Sequence, residues 1–278
     1  VKYETAFDAA LDTSSAALHQ VNFSIAARKS TAVIRKGIDN AIQASAQGFY
    51  GRKFISRASL GTTQAQANTE VALYRDDRLF YTWPGVQVRI PEIAFRGTAG
   101  GIGFTSDGII TVGADAPLAT ICSVLPPEEN PGQSTGLIEN FFAIETQTTP
   151  LTILNYTPLK ANGICAPRRD TTAGMVFQSG ITASLTAGKT TQARRKMADF
   201  IQDSLAQALV PYCKKLATGT RRDAIRATIE QFLTELQSNG NPDAQRIDSF
   251  SVDENAGQTP ELTARGIFVY QILVRTLS

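Results

Sequence analysis

Leu125-Pro-Pro-Glu-Glu-Asn-Pro-Gly-Gln133 is the strongest interruption of regular structure in this sequence of 278 residues. Each of its prolines lacks a backbone N–H donor and biases the residue before it away from the helical conformation. The segment predicts a boundary between two subdomains near residues 126–136, with a long ordered crossover loop as the alternative. The predicted units are residues 1–125, an α/β subdomain, and residues 126–278.

Helix and strand patterns alternate on the N-terminal side of this segment. Apolar residues recur at helical spacing in 3–11 and 29–46, where Ser30 or Thr31 is a candidate N-cap and Gly48 a candidate stop. Short strands are predicted at 22–26, 52–57 and 78–83. This alternation predicts an α/β (mixed α+β) fold with a layered sheet-and-helix core.

The stretch that leads up to the proline segment is rich in glycine. Its glycines at 97, 100, 101, 103, 108 and 113 exclude a regular helix. A flexible surface loop and a hairpin are therefore predicted for residues 96–113. A helix is predicted at 117–125, because the fixed φ of Pro117 suits a first helical turn.

On the C-terminal side, helices dominate the pattern until the last thirty or so residues. A short helix is predicted at 151–161 and a strand at 174–184. The longest helical pattern covers 190–216, and Pro211 should weaken its last turn. A second amphipathic helix is predicted at 221–236. Strands are predicted at 246–252 and 266–277, and a terminal strand this apolar needs a pairing partner.

Composition and charge describe a folded protein without an obvious polyanionic partner. The 27 basic and 25 acidic side chains nearly cancel and form no long basic tract, so nucleic acid is not a predicted partner. No apolar run approaches the roughly 18 residues that span a bilayer, so membrane insertion is not predicted. The apolar fraction of 42% suits a packed core.

The cysteines Cys122, Cys165 and Cys213 are few and widely spaced. This spacing fits neither a disulfide framework nor zinc, whose ligands usually come in close pairs. Reduced and mostly buried thiols are the simplest interpretation. Because the count is odd, all three are also candidates for an intersubunit cross-link.

Motifs for catalysis or cofactor binding are incomplete. The string Thr186-Ala-Gly-Lys-Thr-Thr191 resembles part of a phosphate-binding loop, but the required first glycine is Ala183. The single histidine, His19, has no nearby cysteine and no G-x-S-x-G motif to complete a triad. The sequence therefore predicts no enzyme activity, no cofactor and no metal. An α/β hydrolase remains the alternative, tested by loss of activity in His19→Ala.

Three basic residues, Arg194, Arg195 and Lys196, stand at the start of the longest predicted helix. Cations are unfavourable at that end of a helix, because the helix dipole is positive there. Two explanations are open. Carboxylates elsewhere in the chain pair with these residues, or an acidic surface on a neighbouring subunit does.

Several of these segments, taken in order, are similar to the phage contractile tail sheath family. The proline segment comes first, followed by Gly163-Ile-Cys-Ala-Pro167 and Phe177-Gln-Ser-Gly-Ile-Thr182. Arg194-Arg-Lys-Met-Ala-Asp-Phe-Ile-Gln-Asp-Ser-Leu205 comes next, and Gly257-Gln-Thr-Pro-Glu-Leu262 precedes Gly266-Ile-Phe-Val-Tyr270. The resemblance covers residues 120–278 best. Upstream it rests on Tyr50-Gly-Arg-Lys53 and Asp77-Arg-Leu-Phe-Tyr-Thr-Trp-Pro-Gly85. Members of the family carry an extended N-terminal arm, whereas this sequence opens on a predicted helix, so the arm is either missing, short or cut away.

The resemblance implies a structural subunit that forms stacked hexameric rings around a tail tube and contracts to drive the tube through the host envelope. Its implied partners are other sheath subunits, the tail tube protein, the baseplate and the tail terminator. Its implied location is the virion tail, assembled in the host cytoplasm and active in genome ejection. Another, non-contractile tail structural protein is the alternative.

The resemblance also implies a C-terminal β-strand arm, residues 266–278, that adds to a sheet in a neighbouring subunit by β-augmentation. The arm residues it implies are Gly266, Ile267, Phe268, Val269, Tyr270, Ile272 and Val274.

Overall fold

The computed structural model describes residues 2–11, 22–26, 30–89, 109–133, 141–147, 151–170, 174–213, 218–237 and 245–277. Contacts divide the chain into a first unit, Val1–Lys196, and a second unit, Met197–Ser278. This division lies far from residues 126–136, where the sequence predicts a boundary.

The helices and strands of the first unit alternate along the chain, as the sequence predicts. Its helices are α1 (Lys2–Ala9), α2 (Thr31–Ala46), α3 (Gln64–Val71), α4 (Asp115–Val124), α5 (Ile153–Ala161) and the first turn of α6 (Gln192–Leu209). Its strands are β1 (Phe23–Ile25), β2 (Lys53–Arg57), β3 (Leu79–Thr82), β4 (Val86–Arg89), β5 (Ile109–Val112), β6 (Phe141–Ile144), β7 (Ile164–Cys165), β8 (Pro167–Asp170) and β9 (Gly174–Phe177).

A parallel sheet in the order β1-β2-β3-β7 forms the centre of the first unit. Helix α2 connects β1 to β2, and α3 connects β2 to β3, because parallel neighbours need a crossover connection. Phe54 and Leu79 pack with residues of α2, α3 and α5. Ile55, the neighbour of Phe54 along β2, packs with α4. The sheet is therefore covered on both faces, which confirms the predicted layered α/β core.

Helix α2 approaches the sheet closely at Gly37. A Cβ atom at this position would lie 2.6 Å from the ring of Phe54. That ring is fully buried and meets the ring of Phe7 edge-on, with centroids 5.7 Å apart. Glycine is therefore required by the packing of the helix on β2.

Replacing Gly37 with alanine is expected to lower the free energy of unfolding by about 1–3 kcal/mol, because the added methyl group overpacks the Phe54 ring. Gly219→Ala is the matched control, since a Cβ there meets no atom within 4 Å. Urea unfolding of both variants measures the difference. Equal stabilities would show that α2 can move away from the sheet without cost.

Two antiparallel sheets complete the first unit. One has the order β5-β4-β6, and the other is the β8-β9 hairpin. β5 lies at the end of the glycine-rich stretch, where the sequence predicts a hairpin, and residues 96–108 lie outside the described residues. The predicted strand 174–184 is too long, since β9 ends at Phe177 and only an isolated bridge joins Ile181 to Thr191.

The proline segment is an ordered crossover within the first unit. The side chain of Asn130 donates to the carbonyl of Gly180 at 3.2 Å and accepts from the backbone N–H of Gly132 at 3.0 Å. The ammonium group of Lys196 donates to the carbonyl of Pro126 at 3.1 Å. These hydrogen bonds attach the segment to residues far away in the sequence. The prolines therefore interrupt helix and strand without separating two compact units.

The second unit contains residues 197–209 of α6, α7 (Gly219–Leu236), β10 (Ile247–Asp253), α8 (Pro260–Ala264) and β11 (Gln271–Thr276). Helix α6 ends earlier than predicted, because Pro211 lies in a following 3-10 turn, Val210–Tyr212. The core of the unit joins both helices to the β10-β11 hairpin through Met197, Ile201, Leu205, Ile229, Leu233, Leu236 and Ile247.

Candidate assembly surfaces

β10 and β11 form an antiparallel hairpin with one apolar face and one exposed face. Phe250 lies opposite Val274 and Val252 opposite Ile272, and these four side chains pack against the core of the second unit. Ser251 lies opposite Leu273 on the other face, where Leu273 is 60% exposed. Alternation of apolar and polar residues along the two strands produces this arrangement.

The predicted arm differs from the structure in its extent and its partner. The strand begins at Gln271 and pairs with β10 of the same chain. Residues 266–270, which include Gly266, Ile267, Phe268 and Val269, belong to the connection between α8 and β11. Tyr270, Ile272 and Val274 pack on the core of their own unit. Addition to a neighbouring subunit remains a prediction.

Each strand of this hairpin has one edge that no other described strand pairs with. Among the described residues, the sheet contains only β10 and β11. A strand edge presents N–H and C=O groups that another strand can bind. A two-stranded sheet is also marginally stable by itself, and additional strands stabilise it.

The three basic residues at the start of α6 have different surroundings. Arg195 forms an ion pair with Asp77 at 3.1 Å, and both side chains are largely buried. Lys196 is buried and bonded to the Pro126 carbonyl, and burial lowers its pKa. For these two residues, partners within the chain account for the position at the helix start, and their interface role stays a prediction. Arg194 is half-buried, and its interface role stays a prediction.

A double-mutant cycle with Arg195→Ala and Asp77→Ala is expected to give a coupling energy of about 1–3 kcal/mol, because the pair is shielded from water. The exposed pair Arg226 and Glu230 on α7, at 2.8 Å, is the control and should give a clearly smaller coupling energy, because water screens it. Chemical denaturation of the single and double variants measures both energies. Equal coupling in the two pairs would contradict the expectation.

Two of the three cysteines are buried within the chain. The thiol of Cys165 donates to the carbonyl of Ser179 at 2.7 Å, and burial raises its pKa. Burial also raises the pKa of Cys122 to about 11. Cys213 is exposed and follows the 3-10 turn after α6. A cross-link between subunits stays a prediction for all three cysteines, and Cys213 is the most accessible of them.

A buried carboxylate joins three loops of the first unit. Glu145 follows β6, and its two oxygens accept from the backbone N–H groups of Gly61 at 2.6 Å and Gly85 at 2.9 Å. A neighbouring cleft of about 420 Å³ is lined by uncharged side chains, among them Asn68 and Trp83. The sequence pattern did not indicate this arrangement, because the three segments meet only in the fold.

The single histidine, His19, lies outside the described residues. The described residues contain no group of three or more His, Cys, Asp or Glu side chains placed to hold a metal ion. Within the same residues, no helix is long and apolar enough to cross a membrane.

Three solved structures share this arrangement of elements. A chain of the anti-feeding prophage helical sheath in its contracted state matches 90% of this chain with a TM-score of 0.62 and 14% identity. A sheath tail protein from Desulfitobacterium hafniense matches 98% of this chain with a TM-score of 0.59 and 11% identity. A chain of the anti-feeding prophage baseplate matches 88%, with a TM-score of 0.64 and 13% identity.

The chain therefore has the fold of contractile sheath proteins. It spans 65% of the length of the anti-feeding prophage sheath chain, 60% of the Desulfitobacterium hafniense chain and 62% of the baseplate chain. No protein-family model matches the sequence, and no curated protein is similar enough in sequence to match. At these identities the likeness establishes the fold alone.

Proposed function

We propose that this chain is a structural subunit of a contractile sheath. The observation that supports the proposal is the shared fold with the anti-feeding prophage sheath over 90% of the chain. In this role the subunits form stacked hexameric rings around a tail tube and contract together. Contraction is then a switch between two packings of the same subunits, which needs no catalytic residue.

The β10-β11 hairpin is the surface proposed to link the subunits. A strand from a neighbouring copy would add to one of its outer edges through main-chain hydrogen bonds, so that the links persist while the units rotate. Deleting residues 266–278 is a poor test of strand addition, because the deletion also removes Tyr270, Ile272 and Val274 from the core of the second unit. A loss of assembly could then reflect unfolding of that unit. A substitution on the exposed face is the cleaner test.

Electron microscopy of the purified chain at high concentration tests the proposal directly. Tubes or stacked rings are expected. Leu273→Lys should abolish them while the protomer stays folded, because a lysine on a short exposed strand opposes edge pairing. Leu154→Lys is the control, since Leu154 is 79% exposed in the first unit. Tubes from Leu273→Lys would refute the role of the hairpin, and a wild-type monomer under all conditions would refute the sheath role.

The proposed partners are further sheath subunits, the tail tube protein, the baseplate and the tail terminator. Matches to chains of contracted sheaths and of a baseplate support the sheath and baseplate partners. The tail tube protein and the terminator follow from the proposed sheath role. The proposed location is the tail of a phage or phage-like particle, assembled in the host cytoplasm. Genome ejection is part of this proposal if the particle carries a genome.

A ring at the baseplate is a second candidate for the position of this subunit. It is favoured by the match to a chain of the baseplate structure, which was symmetrised six-fold. Electron microscopy separates the two candidates. A sheath subunit forms tubes of many rings, whereas a subunit restricted to the baseplate stops at one ring.

A further inference from the structure

The connection between β10 and β11 is long for a hairpin, since it covers residues 254–270. A tight turn sets the register of the strands it joins, but a connection of this length does not. The apolar pattern excludes a slip by one residue, because Ile272 and Val274 would then face solvent. A slip by two residues keeps the same faces, so another feature must prevent it.

One glutamine side chain closes this connection. The amide group of Gln258 donates to the carbonyl of Ile267 at 2.9 Å and to the hydroxyl of Thr263 at 2.9 Å. Its oxygen accepts from the backbone N–H of Val269 at 2.9 Å. These bonds hold the residues that enter β11 against the residues that leave β10.

The residues directly before β11 also contact α7. The guanidinium of Arg222 lies over the ring of Phe268, with 5.0 Å between its central carbon and the ring centroid. The hydroxyl of Tyr270 donates to the backbone carbonyl of Arg222 at 3.1 Å. Phe268 and Tyr270 are therefore fixed on the helix directly before β11 begins at Gln271.

We propose that Gln258, Arg222, Phe268 and Tyr270 form a register clamp, which holds β11 in one register on β10 and excludes slips by two residues. The clamp fixes the positions of the backbone groups on the outer edges of the hairpin. For assembly, this consequence rests on the proposed sheath function, because an added strand binds best to an edge that is already ordered.

Engineered disulfides report the register in the full chain, with Cys213→Ser removing the exposed native thiol. Ser251→Cys with Leu273→Cys joins residues that lie directly opposite in the native register. Ser251→Cys with Arg275→Cys, or with Gln271→Cys, joins residues that become opposite after a slip by two. In the native register these diagonal pairs are about 7–8 Å apart, which is too far for an unstrained bridge. Cross-linking by oxidised glutathione is followed by mass spectrometry.

With the clamp intact, only the 251–273 pair should cross-link efficiently. Gln258→Ala is expected to raise the cross-linking rate of at least one slipped pair about tenfold. The lost hydrogen bonds should change the equilibrium constant between the native and the slipped register by about a factor of ten. Phe268→Ala should act in the same direction. Gln207→Ala, an exposed amide on α6, is the matched control and should change nothing.

Unchanged rates for both slipped pairs in folded Gln258→Ala would overturn the clamp. Gln258 is partly exposed, so this variant is expected to fold even if Phe268→Ala does not. The cross-linking needs no assembly, so it judges the clamp even where the wild-type chain forms no tubes. Where tubes form, the concentration needed for assembly should rise in Gln258→Ala, and an unchanged value would contradict the link between register and assembly.

Discussion

Replacing Leu79 with alanine is expected to lower the free energy of unfolding of the first unit by about 2–5 kcal/mol. Leu79 lies on β3, a central strand of the parallel sheet, and its side chain is fully buried. The loss combines the transfer free energy of the removed carbons with the cavity they leave, because packed helices on both faces limit relaxation. Such a loss is a large fraction of the stability of an ordinary domain.

Leu154→Ala makes the same chemical change at a position that is 79% exposed, on the first turn of α5. Its effect should stay within about 0.5 kcal/mol. Denaturant unfolding, followed by a probe in the first unit, compares the two. Similar losses in both variants would mean that Leu79 does not belong to a close-packed core.

Glu145→Ala is expected to lower the free energy of unfolding by about 2–4 kcal/mol. Removing the carboxylate leaves the backbone N–H groups of Gly61 and of the buried Gly85 without their acceptor, and hydrogen bonds to charged groups are stronger than neutral ones. Glu145→Gln should also destabilise, because only one of its two terminal atoms can accept a hydrogen bond.

The control for both substitutions is Glu235→Gln, on the exposed surface of α7, where a change within about 0.5 kcal/mol is expected. Thermal or chemical unfolding measures the three variants. A Glu145→Gln variant as stable as the wild type would show that one hydrogen bond suffices to hold these loops together.

Helix limits were predictable where capping chemistry is local. Ser30 accepts from the backbone N–H of Val33 at 3.3 Å and begins α2, and Gly48 adopts a φ of +91° just after its end. Gly163, with a φ of +75°, follows α5 in the same way. These signals depend on residues a few positions apart, so they can be read from the sequence.

Assembly features that depend on distant residues were only partly predictable. The basic cluster at the start of α6 was identified, and the two explanations for it could not be separated. Asp77 is the partner of Arg195, but it lies 118 positions away along the chain. Asp77 and its neighbour Asp76 are an evident acidic pair in the sequence. No pattern of nearby residues indicates that either of them contacts α6.

The sequence by itself determined the alternation of helices and strands, the layered α/β class and the presence of an apolar C-terminal strand. These properties follow from periodicity, capping and composition over short windows. Only the tertiary structure decided that β11 pairs with β10 of its own chain, that the proline segment lies within one compact unit and that Glu145 joins three loops. Pairing partners and unit boundaries depend on contacts between residues far apart in the chain, and local patterns do not specify which of the available partners will meet.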